Sequence, residues 1–188
     1  MQGRLSSLRR VAVYCGSADG ADPEYLADAR ELGRAIADAG MGLVYGGASV
    51  GLMGAVANAT LEAGGQVIGI LPRILAGREI AHGHLTTLEV VPGMHERKMR
   101  MHALADAFIA LPGGYGTLDE MMEAVTWAQL AIHFKPCILV NTLGYWNGLL
   151  EFLDTAVNAG FLKPANRALL YVAATPAEAV AITAKPRV

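Results

Sequence analysis

The sequence predicts a doubly wound α/β domain, a mainly parallel sheet of about seven strands with helices on both faces. Three observations predict it. Short apolar runs alternate with longer helical patterns along the whole chain. Glycine turns follow several of those runs, at Gly16-Ser17, Gly46-Gly47 and Gly113-Gly114. No linker, repeat or break in composition divides the 188 residues, so residues 1–188 read as one domain with a full core.

The elements follow in order. Residues 11–15 form a first strand. Asp22-Pro23-Glu24 supplies an N-cap, a first-turn proline and an early acid for a helix reaching about residue 39. A strand at 43–45 leads into a helix over 51–63, and 66–71 is the third strand. The stretch 72–86, with His82 and His84, is irregular and reads as a lid or binding loop. Residues 87–91 are a short strand and 94–104 a helix. A strand at 107–111 precedes a long helix over 117–132. A strand at 136–140, a helix over 145–159, a strand at 168–172 and a helix from Pro176 complete the chain.

Composition narrows the function. Apolar residues make up 53% of the chain and the net charge is −2. No overall field draws nucleic acid or an acidic membrane. Basic residues are scattered, apart from Arg9-Arg10 and the 97–100 cluster, and neither forms a nucleic-acid stripe. Cys15 and Cys137 lie in apolar strand-like runs and read as reduced core thiols. The basic start is followed by only a short apolar run, so it reads as a frayed leader. No window offers the ~18 apolar residues of a membrane span. The expected protein is soluble and cytoplasmic.

Two turns carry the chemistry: Y-G-G-A-S-V-G-L-M-G from Tyr45 and L-P-G-G-Y-G-T-L-D-E from Leu111. Between them lies M-H-E-R-K-M-R, from Met94 to Arg100. Glycine lets backbone N–H groups approach an anion, and a helix N-terminus adds unpaired donors and a positive dipole end. A strand, a glycine turn and a helix therefore make a phosphate site. The glycine spacings do not fit the dinucleotide fingerprint, and Leu52 stands where a Walker loop needs lysine. The five histidines show no zinc spacing, and no G-x-S-x-G elbow occurs. The expected ligand is a phosphorylated small molecule, with no metal and no cofactor.

The pair P-G-G-Y-G-T-L-D-E and M-H-E-R-K resembles the signature of the Lonely Guy (LOG) family. Y-C-G-S at 14–17, Y-G-G-x-x-x-G-L-M-G, and T-W-A-Q-L-x-I-H at 126–133 extend the resemblance over almost the whole chain. The resemblance implies a Rossmann-like fold and hydrolysis of the N-glycosidic bond of adenosine 5′-monophosphates, plain or N6-substituted. It implies catalytic Arg97 and Glu120. Gly113, Gly114, Tyr115, Gly116 and Thr117 are then expected around the 5′-phosphate, with Lys98 adding charge. Ser17, Gly46 and Gly47 are expected on the nucleoside side, and Met94 is a further candidate substrate-binding residue, as pocket wall or core.

The chemistry fits those residue types. Cleaving an N-glycoside builds positive charge on the ribose, which a carboxylate can stabilise while orienting water. An arginine fork can grip phosphate or ribose oxygens. Simpler readings stand beside these. Thr117-Leu118-Asp119-Glu120 also reads as a capping box in which Glu120 only satisfies a backbone N–H. Residues 95–100 also read as a solvated helical turn. A carrier of a phosphorylated cofactor, such as the molybdenum cofactor, is the alternative function. Members of the family have often been labelled lysine decarboxylases, but no lysine here has the setting of a Schiff-base residue.

The helix over 121–132 is apolar on nearly every face, more than one sheet can cover. It is the expected interface of a homodimer. The resemblance implies that a partner chain contributes to the site, through Arg100 or the 78–84 loop.

Overall fold

A computed structural model describes residues 9–76 and 81–184. It contains a seven-stranded sheet in which every pairing is parallel. The strands are β1 (Arg10–Tyr14), β2 (Gly42–Tyr45), β3 (Val67–Pro72), β4 (Thr87–Val91), β5 (Ala107–Ala110), β6 (Cys137–Val140) and β7 (Leu170–Ala173). Their order is β4-β3-β2-β1-β5-β6-β7. β2, β5 and β6 are buried at every residue, which is why they read as unbroken apolar runs rather than alternating ones. β4 lies at the edge, with no residue fully buried.

Helices cover both faces. α1 (Pro23–Asp38), α2 (Gly51–Glu62) and, near the C-terminus, α8 (Pro176–Thr183) pack Leu32, Ile36, Val56 and Ala179 against Val11, Leu43, Ile109 and Ile138. α4 (Met94–Leu104), α5 (Tyr115–Gln129) and α6 (Asn147–Asn158) cover the other face, where Met101, Met121 and Ala124 meet Tyr14, Phe108 and Leu139. α1 starts where the local chemistry directs: the Asp22 carboxylate accepts from the Glu24 N–H at 2.9 Å, and Pro23 opens the first turn.

Three local readings change. The stretch after β3 is not wholly irregular, since α3 (Arg73–Ala76) is a helical turn. Residues 77–80, part of the expected lid, lie outside the described residues, as does the leader through residue 8. A short helix α7 (Pro164–Arg167), opened by Pro164, had no counterpart in the reading of the sequence. The long helix expected over 117–132 begins at Tyr115, because Gly114 is its N-cap, and ends at Gln129, with Leu130 as its C-cap and Ala131 in the left-handed region at φ 56°, so the expected interface helix at 121–132 is helical only to residue 129. No helix among the described residues is long and apolar enough to cross a membrane.

β1 is the switch point. The chain runs from β1 out to β4, then crosses back to β5 on the other side of β1. The loops leaving β1 and β5 splay apart there and open a crevice. The Gly16 N–H donates to the Pro112 carbonyl at 3.0 Å and ties the two loops together.

Candidate active site

A cavity of about 450 Å³ opens at the carboxyl ends of β1, β2 and β3. Ser17, Gly46, Arg97, Gly114, Tyr115, Gly116 and Thr117 line it, so the two glycine turns and the cationic segment meet there. Met53 is also wall. Cys15, Ala48, Val50, Leu71 and Leu75 complete an apolar end that the sequence did not mark as a site. Their signal was only apolar character in or near the turns that follow β1, β2 and β3, which core residues share.

One end of the cavity is built by the start of α5. Its N-cap, Gly114, offers no side chain to the helix, so the first-turn N–H groups keep the orphan donors and dipole of a helix start. Thr117 lies in that turn, and a Cβ on Gly113 would collide with its hydroxyl. Gly113 itself borders a neighbouring cavity with Tyr25, Leu52 and Tyr145, and the Tyr145 hydroxyl donates to its carbonyl at 2.7 Å.

Glu120 lies in the second turn and is buried. The capping-box reading is therefore corrected: Thr117 is inside the helix rather than at its cap. Glu120 instead meets Arg97, whose Nη2 stands 3.4 Å from its Oε1. Both side chains are nearly out of water, 11% and 9% exposed. Burial pushes the Glu120 carboxyl above its ordinary range, and the Arg97 and Lys98 charges pull the other way. Gly46 makes room for the pair, because a Cβ there would strike the Arg97 guanidinium and the Met53 methyl.

Other expected residues are placed elsewhere. Lys98 does not line the cavity. Its Nζ reaches Asp119 Oδ2 at 3.1 Å and Glu123 Oε2 at 3.0 Å. Met94 is 46% exposed and outside the cavity wall, with its sulfur accepting from Arg97 Nη1 at 3.8 Å. Gly47 has φ +79°, and its carbonyl accepts from the His82 N–H at 3.0 Å, which anchors the 81–84 segment. His82 is buried, with Nε2 2.8 Å from Asn58 Oδ1, so it is a packing residue rather than part of a polar loop. Arg100 pairs with Glu89 at 2.7 and 2.9 Å.

Both cysteines are free. Cys137 is core, and burial pushes its thiol up to about 12. Cys15 is partly exposed and forms cavity wall, with burial again pushing its thiol up, so neither is poised as a nucleophile.

The arrangement joins an anion-binding helix start, an arginine–carboxylate pair and an apolar end in one crevice. A family model described as "Possible lysine decarboxylase" matches residues 53–183. The cytokinin riboside 5′-monophosphate phosphoribohydrolase LOG of Oryza sativa subsp. japonica is 48% identical over 177 residues, which is 94% of this chain and 73% of that protein.

The chain belongs to the LOG family.

An Arabidopsis thaliana member, also a cytokinin riboside 5′-monophosphate phosphoribohydrolase, is 46% identical over 96% of this chain and 83% of its own. Among solved structures, the molybdenum cofactor carrier protein of Chlamydomonas reinhardtii is similar at 28% identity, with a TM-score of 0.69, covering 94% of this chain and 95% of that one. The Rossmann-like sheet is thus common to the LOG family and to that carrier. The closer sequence likeness is to the hydrolases.

Proposed function

We propose that this protein hydrolyses the N-glycosidic bond of adenosine 5′-monophosphate and its N6-substituted forms, releasing the free base and ribose 5-phosphate. The observation that carries the reading is the Arg97–Glu120 pair, 3.4 Å apart and beside the start of α5. In this reading the 5′-phosphate sits on the N–H groups of Tyr115, Gly116 and Thr117. Ser17, Gly46 and Met53 flank the nucleoside. The base points to the apolar end at Val50, Leu71 and Leu75.

As the bond breaks, electrons leave with the base and positive charge grows on the ribose ring. The Glu120 carboxylate stabilises that charge and orients the water whose oxygen joins the anomeric carbon. The water's proton ends on the departing base. Arg97 holds Glu120 ionised despite its burial and offers its remaining N–H groups to phosphate or ribose oxygens. Lysine decarboxylation finds no support. Lys98 is held by Asp119 and Glu123, and Lys135 reaches the His102 carbonyl.

The carrier reading draws on the fold shared with the molybdenum cofactor carrier. A carrier requires the phosphate cradle but no carboxylate held against an arginine, and the likeness to the hydrolases is far higher. We also propose a homodimer through the 121–132 segment, the C-terminal part of α5 and the turn after it, supported by exposed Leu130, Ile132 and Phe134. A cytoplasmic setting accords with the two unpaired thiols.

The test is chemical. The purified protein should release adenine and ribose 5-phosphate from AMP and leave adenosine nearly untouched, because phosphate binding is spent on orienting the reacting centre. Equal kcat/KM on adenosine contradicts the reading.

A further inference from the structure

We propose that Lys98 is a positioning residue: by bridging Asp119 and Glu123 it clamps α4 to α5 and so holds Arg97 against Glu120. The proposal rests on the phosphoribohydrolase reading.

Arg97 and Lys98 are neighbours on α4, so their side chains leave the helix about 100° apart. One faces the cavity. The other faces α5, where its ammonium is 15% exposed and lies 3.1 and 3.0 Å from two carboxylates. Among the described residues, the side-chain hydrogen bonds that join α4 to α5 all start at Lys98. Arg97 makes its own side-chain hydrogen bond within α4, to Met94, and its buried Nε has no partner. Its position against Glu120 therefore depends on the spacing of the two helices. That spacing is fixed one residue away.

The clamp also balances charge. Asp119, Glu120 and Glu123 place three carboxylates within five residues of α5. Lys98 and Arg97 are the cations that meet them from α4. His102 stands 4.0 Å from the other Glu123 oxygen, but burial and the nearby His133 and Lys135 keep its imidazole neutral. Tyr14, the last residue of β1, and Cys15 just after it face Glu120 as neutral groups, both held protonated by burial. Without the Lys98 ammonium, Glu120 faces Asp119 and Glu123 with Arg97 alone to offset them.

The test is steady-state kinetics on AMP for the wild type, Lys98→Met, Lys98→Arg and the double variant Asp119→Ala/Glu123→Ala, which removes both acceptors of the Lys98 ammonium. A KM defect reports lost ground-state contact, and a kcat defect at constant KM reports lost transition-state geometry. Lys98→Met should lower kcat by about tenfold or more with KM within about twofold. The acid limb of its kcat/KM profile should move to higher pH. Lys98→Arg, which keeps the bridge, should recover most of the rate. The double variant cuts the clamp without touching the lysine and should show the same kcat loss, which decides the matter if Lys98→Met does not fold. A rise in KM at constant kcat in Lys98→Met places the ammonium on the nucleotide and overturns the clamp while leaving the reaction intact. An unchanged kcat in either variant overturns it too. A wild type that hydrolyses neither AMP nor an N6-substituted analogue refutes the function, and the clamp with it.

Discussion

The Arg97 guanidinium lies 3.4 Å from the Glu120 carboxylate, with both side chains nearly excluded from water. The two come from different helices, α4 and α5, both of which pack against β1. A buried carboxylate normally becomes protonated, and a buried guanidinium cannot. The pairing opposes protonation of the buried acid, and in the proposed reaction the anion stands where positive charge grows on the ribose.

Gly46→Ala should separate fold from function. The added methyl group meets the far ends of the Arg97 and Met53 side chains, which can swing aside, and not backbone. Stability should change by less than about 1 kcal/mol in a denaturant titration. AMP hydrolysis should fall about tenfold or more, because the guanidinium is displaced from Glu120. Full activity in the alanine variant would mean that the pair tolerates displacement.

The pH–rate profile should carry the signature of Glu120. Burial raises its pKa above that of an ordinary carboxylate. Activity should therefore fall on acidification through an apparent pKa higher than 4.5, as the carboxylate takes up a proton. A profile flat down to the ordinary carboxylate range contradicts an essential Glu120 anion.

Acid stability should depend on His102. Its ring lies 4.6 Å from Phe108 and 4.4 Å from Trp127, with neither nitrogen hydrogen-bonded. Burial lowers its pKa from 6.5 to about 4. The unfolded chain therefore binds a proton that the folded chain refuses. This contribution is intact above pH 6.5 and is lost as the pH falls toward 4, on the order of 3 kcal/mol in all. His102→Phe should flatten that part of the stability curve. An unaltered slope would assign the acid sensitivity to another group.

Light scattering should report twice the chain mass. Ile132, 62% exposed just beyond α5, is the residue to probe. Ile132→Glu should yield a folded monomer, since its side chain supports no core in the single chain. A wild-type monomer at micromolar concentration contradicts the dimer.

Much of this was legible in the sequence because local signals agreed with the tertiary result. The strand at 87–91 and the helix at 94–104 carry their own boundaries, a Pro92-Gly93 break between them and an apolar strand after. The start of α5 was misread by two residues. Thr117 and Glu120 satisfy the capping-box pattern, but Gly114 caps the helix and it starts at Tyr115. Lys98 was grouped with Arg97 because they are adjacent in sequence, yet adjacency on a helix places side chains on different faces. Which face looks into the cavity and which at Asp119 depends on how α4 packs, and no local pattern encodes that. The apolar end at Leu71 and Leu75 was hidden for a similar reason, since a leucine at a strand end or in a short helical turn looks alike whether it lines core or cavity.

The most direct measurement is AMP hydrolysis by Glu120→Gln beside the wild type, with free adenine, ribose 5-phosphate and AMP affinity all quantified. Glutamine keeps the shape of the side chain and removes its charge. The variant should fold, bind AMP at least as tightly as the wild type, and lose at least ~100-fold in kcat. Hydrolysis by Glu120→Gln at a near wild-type rate would contradict the catalytic role of this carboxylate and send the search to Asp119, the acid next to it.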